Sequence, residues 1–253
     1  MTARGEESLW FPNVKFDARA RVRLFCFPYA GGGNQIYRNW STNLPSGIEV
    51  CAAQPPGRGN RLKEAGYRNL SALVKALAKV MRPFLDKPFA FFGHSMGAMI
   101  AFELARELRR SDELQPVRLF ASGRRAPHIE SEEELTYNLP EEEFIEAVRN
   151  INGTPKEVLE HAELMQMMMP LLRADFEVVE TYAYAPDSPL DCPMTVLGGL
   201  QDVHVPRENL EAWREHTRGA FSLRLMPGDH FFVNTAQEFI YRVLAQELYE
   251  HIK

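Results

Sequence analysis

The chain has 253 residues, 45% hydrophobic and 25% charged, with 29 Lys and Arg against 34 Asp and Glu for a formal net charge of −5. That composition excludes collagen-like, disordered and disulfide-scaffold proteins, and the mild acidity argues against a nucleic-acid partner, which would want a basic footprint. A chain this long buries enough surface to stand without a disulfide or metal staple. Cys26, Cys51 and Cys192 are odd in number and lack C-x-x-C spacing, as expected of reduced thiols in a cytoplasmic protein. Met1 to Trp10 has no apolar signal-peptide region, and no run of about 18 apolar residues predicts a membrane span.

In chain order, the strand patterns are Val22–Phe27, Ile48–Ala53, Phe89–Phe92, Val117–Ser122, Met194–Gly198 and Phe221–Leu225, all short, apolar and rich in β-branched or aromatic residues. Between them, Leu70, Leu73, Val74, Leu77, Val80 and Met81 recur at helical spacing, Gly97–Arg110 reads as a second helix and Asn234–Ile252 as the last. Such alternation predicts an α/β fold with a mostly parallel central sheet and helices on both faces, in one domain over residues 1–253. Residues 124–191 break the alternation. There Pro140 with Glu141–Glu143 opens a helix that Gly153 ends, and Thr154-Pro155-Lys156-Glu157 has capping-box spacing. Glu163–Tyr182 carries a further helical pattern that Pro170 is expected to kink or split. Helices inserted between strands predict a lid over a site; a subdomain that only packs is the alternative.

Gly93-His94-Ser95-Met96-Gly97 follows a strand pattern and opens a helix, the setting of a serine on a sharp strand-to-helix turn. Glycines flank such a turn because Cβ atoms would collide with neighbouring backbone, and the helix N-terminus faces a developing oxyanion. A serine nucleophile needs a base. Of the seven histidines, His94 is turned away by the elbow, His128 and His161 lie in the insertion, His216 and His251 on polar helix surfaces, and His204 in a loop. His230, in Pro227-Gly228-Asp229-His230-Phe231-Phe232, follows the last strand, where a doubly wound hydrolase presents its base. The acid belongs between serine and histidine. Asp202, just after the strand from Met194, is the candidate, with Asp187, Asp191 and Asp229 as competitors. The oxyanion hole takes the N–H of Met96 and a second donor from Phe27-Pro28-Tyr29-Ala30-Gly31-Gly32-Gly33, either Ala30 or Gly31. The chain has no G-K-[ST], no complete G-x-G-x-x-G, no H-E-x-x-H and no paired Cys ligands, so neither a metal nor a cofactor is expected.

Five segments now form a pattern: Phe27-Pro28-Tyr29-Ala30-Gly31-Gly32, Pro55-Pro56-Gly57-Arg58, Gly93-His94-Ser95-Met96-Gly97, Leu171-Leu172-Arg173-Ala174-Asp175 and His230-Phe231-Phe232. In this order they resemble the type II thioesterases of polyketide and nonribosomal-peptide assembly lines, from about Arg21 to the C-terminus. The resemblance implies an α/β-hydrolase fold with a helical lid. It also implies hydrolysis of acyl thioesters from the phosphopantetheine arm of acyl or peptidyl carrier proteins. Carried over by position, it assigns Ser95 as nucleophile, His230 as base, Asp202 as acid, and Ala30 with Met96 as oxyanion donors. The family usually has glycine where this chain has Asp229, which bears on the pH dependence of the base.

Under that resemblance the insertion acquires a use. Met165, Met167, Met168 and Met169 are four of ten methionines, and flexible thioethers suit variable acyl chains. Met165, Met168 and Met169 are therefore expected to line an acyl chamber, or else only to pack the lid onto the sheet. Arg173 and Asp175 read as a hydrogen-bonded pair, and the acidic runs Glu130–Glu134 and Glu141–Glu143 as solvated helix starts. Arg58, Arg61 and Lys63 form either a basic patch for an acidic carrier protein or a solvated loop. A carboxylesterase, an acyltransferase on the same triad, and a non-catalytic hydrolase-fold binder are the alternatives to a thioesterase.

Overall fold

Alternate residues of the first strand face opposite ways. Phe25 and Phe27 of β1 (Val22–Phe27) join one apolar core, Val22, Leu24 and Cys26 the other. The same division runs through β2 (Ile48–Ala52), β3 (Phe89–His94), β4 (Arg118–Ser122), β5 (Met194–Gly199) and β6 (Phe221–Met226). Strands buried on both faces are the signature of a parallel sheet, and all five pairings are parallel in the order β2-β1-β3-β4-β5-β6. The computed structural model describes residues 3–12, 14, 17–131, 134–151 and 161–253.

Helices Leu70–Met81 and Met96–Asp112 bury their apolar stripes in the first core. Trp40 and the helix Gln237–Glu247 close the second. Each predicted strand is present within two residues of its expected ends. The expected last helix, Asn234–Ile252, is instead three pieces: Phe232–Thr235, Gln237–Glu247 and Tyr249–Ile252. The chain leaves helical geometry at Ala236 and Leu248, both of which are buried. Among the described residues no helix is long and apolar enough to cross a membrane.

Strand order reverses between β1 and β3, because the chain goes from β1 outward to β2 and then returns to the other side of β1. In open α/β sheets a crevice forms outside the carboxyl ends of the strands at such a switch. The glycine-rich loop after β1 and the serine turn after β3 sit there.

Between β4 and β5 the described residues hold two inserted helices, Glu141–Ile151 and Ala162–Glu180. Gly153, the Thr154–Glu157 capping spacing, and Glu132 and Glu133 of the acidic run lie outside the described residues. The long inserted helix runs unbroken through Pro170. Proline there removes the hydrogen bond to the Gln166 carbonyl, but Leu171, Leu172, Ala174, Asp175 and Val178 are buried just beyond it. Packing holds the helix where propensity would end it.

His216 was expected on a polar surface and is buried, against Phe102, Trp213 and Tyr184, with its Nε2 2.7 Å from Nδ1 of His128. Burial, then the neighbouring His128 and Arg106, push its imidazole down to about 4 from 6.5. Between those pH values the unfolded chain takes up a proton that the folded chain refuses, so stability falls as pH drops through that window. By this linkage His216 removes about 2 kcal/mol between pH 7 and pH 5. Thermal melts of His216→Gln will show a shallower loss of stability over that interval; parallel pH profiles for the two proteins would contradict it.

Candidate active site

The serine turn is built by close approach of backbones. A Cβ on Gly93 would lie 1.9 Å from the Gly97 carbonyl oxygen, and one on Gly97 would lie 2.0 Å from the Phe27 carbonyl oxygen. Only glycine lets β3, the helix from Met96 and the end of β1 meet this closely. Ser95, between them, has φ 53° and ψ −112°, a strained conformation for a residue with a side chain. Its N–H donates to the Ser122 carbonyl at 2.8 Å, which ties the turn to β4.

His230 follows β6, and its Nδ1 donates to Asp202 Oδ2 at 2.8 Å. The Asp202 side chain has no solvent exposure. Burial alone would raise its pKa, but the His230 imidazole and the N–H groups of His204 and Val205 hold it below the ordinary carboxylate value. A buried charged carboxylate in that position fixes the imidazole so that Nε2 is the free, basic nitrogen. The competing acids are engaged elsewhere. Asp187 pairs with Arg109, Asp191 with Gln115 and Arg218, and exposed Asp229 accepts from the N–H of Phe231. His94 is fully buried, its Nδ1 2.9 Å from Ser122 Oγ, and burial pushes its pKa well below the ordinary value. It is neutral and turned off the serine, with its ring centroid 5.3 Å from that of His230.

Ser95 and His230 line one cavity of about 140 Å³ together with Tyr29, Ala30, Gly123 and Phe231. In the loop after β1, the Gly31 N–H donates to Asp175 Oδ2 at 2.7 Å and the Gly32 N–H to the Tyr29 carbonyl at 2.9 Å. The Ala30 N–H has no protein acceptor among the described residues, which separates Ala30 from Gly31 as the donor available to a ligand. Met96 opens its helix, so its N–H has no carbonyl one turn back to bond.

The inserted helices give the cavity an apolar lining, Val148 and Ile151 from the short one and Leu172, Phe176 and Val179 from the long one, beside the charged Arg124, Arg125 and Glu180. Met165, Met168 and Met169 do not line it. Met165 is buried with Phe144, Val148 and Leu172 between the two inserted helices, Met168 and Met169 pack at the edge of that cluster, and Met167 is exposed. The lining was legible as spacing: 172, 176 and 179 share one helical face, as do 148 and 151. Methionine abundance pointed to the face next to it.

Two further expectations change. Arg173 and Asp175 are not a pair, since Arg173 donates to the Tyr137 carbonyl and stacks over Phe144, while Asp175 holds Gly31 and Arg58. Arg58 and Arg61 are buried and bonded internally, Arg61 to Glu64 and the Gln54 carbonyl beneath Trp10. Lys63 alone of the three is exposed. Among the described residues no cluster of His, Cys, Asp and Glu would hold a metal ion.

The family model for the thioesterase domain matches residues 22–248. Gramicidin S biosynthesis protein GrsT of Aneurinibacillus migulanus is 47% identical over 233 residues, 92% of this chain and 91% of its own. Linear gramicidin dehydrogenase LgrE of Brevibacillus parabrevis is 45% identical over 248 residues, 97% of this chain and 94% of its own. The solved structure of the type II thioesterase BorB, from the borrelidin biosynthetic cluster, is 34% identical with a TM-score of 0.84, covering 94% of this chain and 96% of that one.

The close approach at the elbow makes a direct prediction. Gly93→Ala has no space for its methyl group and will destabilise the fold by about 3 kcal/mol, roughly 6–12 °C in Tm. A melting temperature within a degree or two of wild type would contradict the elbow geometry.

Proposed function

This chain belongs to the thioesterase family and is a thioester hydrolase of the type II kind, and on that footing we propose that Ser95, His230 and Asp202 are its catalytic triad. Ser95 Oγ attacks the thioester carbonyl as His230 Nε2 takes its proton. The N–H groups of Ala30 and Met96 hold the oxyanion that forms. As the C–S bond breaks, the imidazolium returns the proton to the leaving thiolate, and an acyl-enzyme is left on Ser95. Water then attacks, again with His230 as base, releasing the acid and restoring the serine. The observation that carries this reading is the shared cavity, lined by Ser95, His230 and Ala30, with the His230 ring anchored on a buried carboxylate.

The partner is an acyl group on the phosphopantetheine arm of an acyl or peptidyl carrier protein. Similarity to GrsT and BorB, whose names place them in biosynthetic clusters for gramicidin S and borrelidin, supports this choice over a simple carboxylester. The dehydrogenase in the name of LgrE belongs to that relative. Here the glycines of residues 31–33 complete no dinucleotide fingerprint. The inserted segment acts as a lid in this reading, because two of its helices line the cavity that holds the serine.

Two experiments test this. Hydrolysis of acyl-pantetheine or carrier-bound thioester will fall by about a thousandfold or more in Ser95→Ala and by a comparable factor in Asp202→Asn. A Ser95→Ala protein that keeps a tenth of wild-type turnover would dismiss the triad. Separately, Leu172→Ala or Val179→Ala, which enlarge the cavity, will move the preferred acyl chain longer, by about tenfold in relative kcat/KM per methylene. Met168→Ala will leave the profile in place. The reverse pattern would return the chamber to the methionines.

A further inference from the structure

We propose that Asp175 is a positioning residue of the oxyanion hole, through which the long inserted helix sets the geometry of the loop that presents the Ala30 N–H. The inference rests on the acyl-transfer reading above and adds to it a residue outside the triad.

The loop after β1 is a tight turn. The Gly32 N–H donates to the Tyr29 carbonyl at 2.9 Å, and Gly31, its third residue, has φ +76°. A positive φ at that position is the mark of a type II turn, which differs from type I in the direction of its central peptide. That central peptide carries the Gly31 N–H, and it is this N–H that Asp175 Oδ2 accepts at 2.7 Å. The Ala30 N–H belongs to the preceding peptide, whose carbonyl is the Tyr29 oxygen held by Gly32. In a planar trans unit the N–H points opposite the carbonyl. The donor's direction is therefore set by the turn, and the turn by Asp175.

Asp175 is itself fixed. It is 3% exposed, and its second oxygen accepts from Arg58 Nη2 at 2.8 Å. Arg58, 5% exposed, donates through Nη1 to the Gly32 carbonyl at 2.8 Å and through Nε to the Pro56 carbonyl. The guanidinium thus grips the same turn from its other end. A buried ion pair is costly unless its polar atoms are partnered, and two of these partners, the Gly31 N–H and the Gly32 carbonyl, are backbone groups of the loop itself. Packing adds a second tie, because a Cβ on Gly31 would lie 2.7 Å from Leu172 Cδ2 of the same helix. Leu172 also lines the cavity. One helix therefore lines the cavity with Leu172 and holds the loop after β1 with Asp175, three residues apart.

An oxyanion donor acts mainly in the transition state, so misdirecting it lowers kcat and leaves substrate binding largely alone. The test uses the full chain with Asp175→Asn, which keeps size and one acceptor but loses the charge, and Asp175→Ala. Two quantities are measured: kcat and KM for acyl-pantetheine hydrolysis, and the inhibition constant of a trifluoromethyl ketone of matching chain, which adds to serine as an oxyanion. The expected result is a kcat lower by about ten- to a hundredfold, KM within about twofold of wild type, and ketone affinity weakened by the same factor as kcat/KM. The Asn variant falls between wild type and Ala, and it decides the matter if the Ala protein does not fold. Unchanged kcat and ketone affinity in a folded variant, or a loss confined to KM, would overturn the proposal. Wild-type thioester turnover is scored separately, and the ketone comparison holds for whatever ester or thioester the wild type cleaves.

Discussion

Everything in this site depends on the crossing where β3 turns into the helix from Met96 beneath the end of β1. Gly93 and Gly97 touch carbonyl oxygens at distances no Cβ would tolerate, and that contact forces Ser95 into its strained conformation. The strain lifts the hydroxyl out of the sheet, and the same contact holds the helix N-terminus and the loop after β1 side by side. The elbow thus brings two backbone segments with free N–H groups, at Ala30 and Met96, to the same end of the sheet, and Asp175 holds the turn that carries the first of them. Preorganised backbone dipoles need no rearrangement as charge develops, which is why such sites favour them.

The second layer of organisation comes from the insertion. Its two helices share a small apolar cluster of Phe144, Val148, Met165 and Leu172, and the long helix rests on the loop after β1 through Leu172 and Asp175 and on Gly57 in the loop after β2 through Leu171. The long helix thus carries part of the apolar lining of the cavity, at Leu172, Phe176 and Val179, together with the carboxylate that accepts from the Gly31 N–H. Two titratable neighbours of His230 have settled places: His94 is buried and neutral, and Asp229 closes a local turn at the surface.

Much of this was legible in the chain because local physics and chain order agree. Strand runs such as Val22–Phe27 announced themselves by composition, Gly93 and Gly97 by the turn they permit, and His230 and Asp202 by where they follow strands. What escaped depended on contacts distant in sequence. Asp175 looked like a partner for Arg173 two residues away, yet it reaches Gly31, 144 residues away. Arg58 and Arg61 looked like surface charge because nothing local signals a buried guanidinium. Pro170 looked like a break because propensity is local, whereas the burial that carries the helix through it is tertiary. The methionine cluster drew attention by abundance, while the cavity is lined by the helical face beside it.

The central claim is that the acyl group passes through Ser95 Oγ, and rapid quenching of thioester turnover followed by intact-mass and peptide analysis tests it most directly. The account predicts one acyl group per chain, located on Ser95, formed and lost at rates matching turnover, and absent from Ser95→Ala. Acyl label on another residue, or full turnover with no acyl-enzyme in Ser95→Ala, would contradict it.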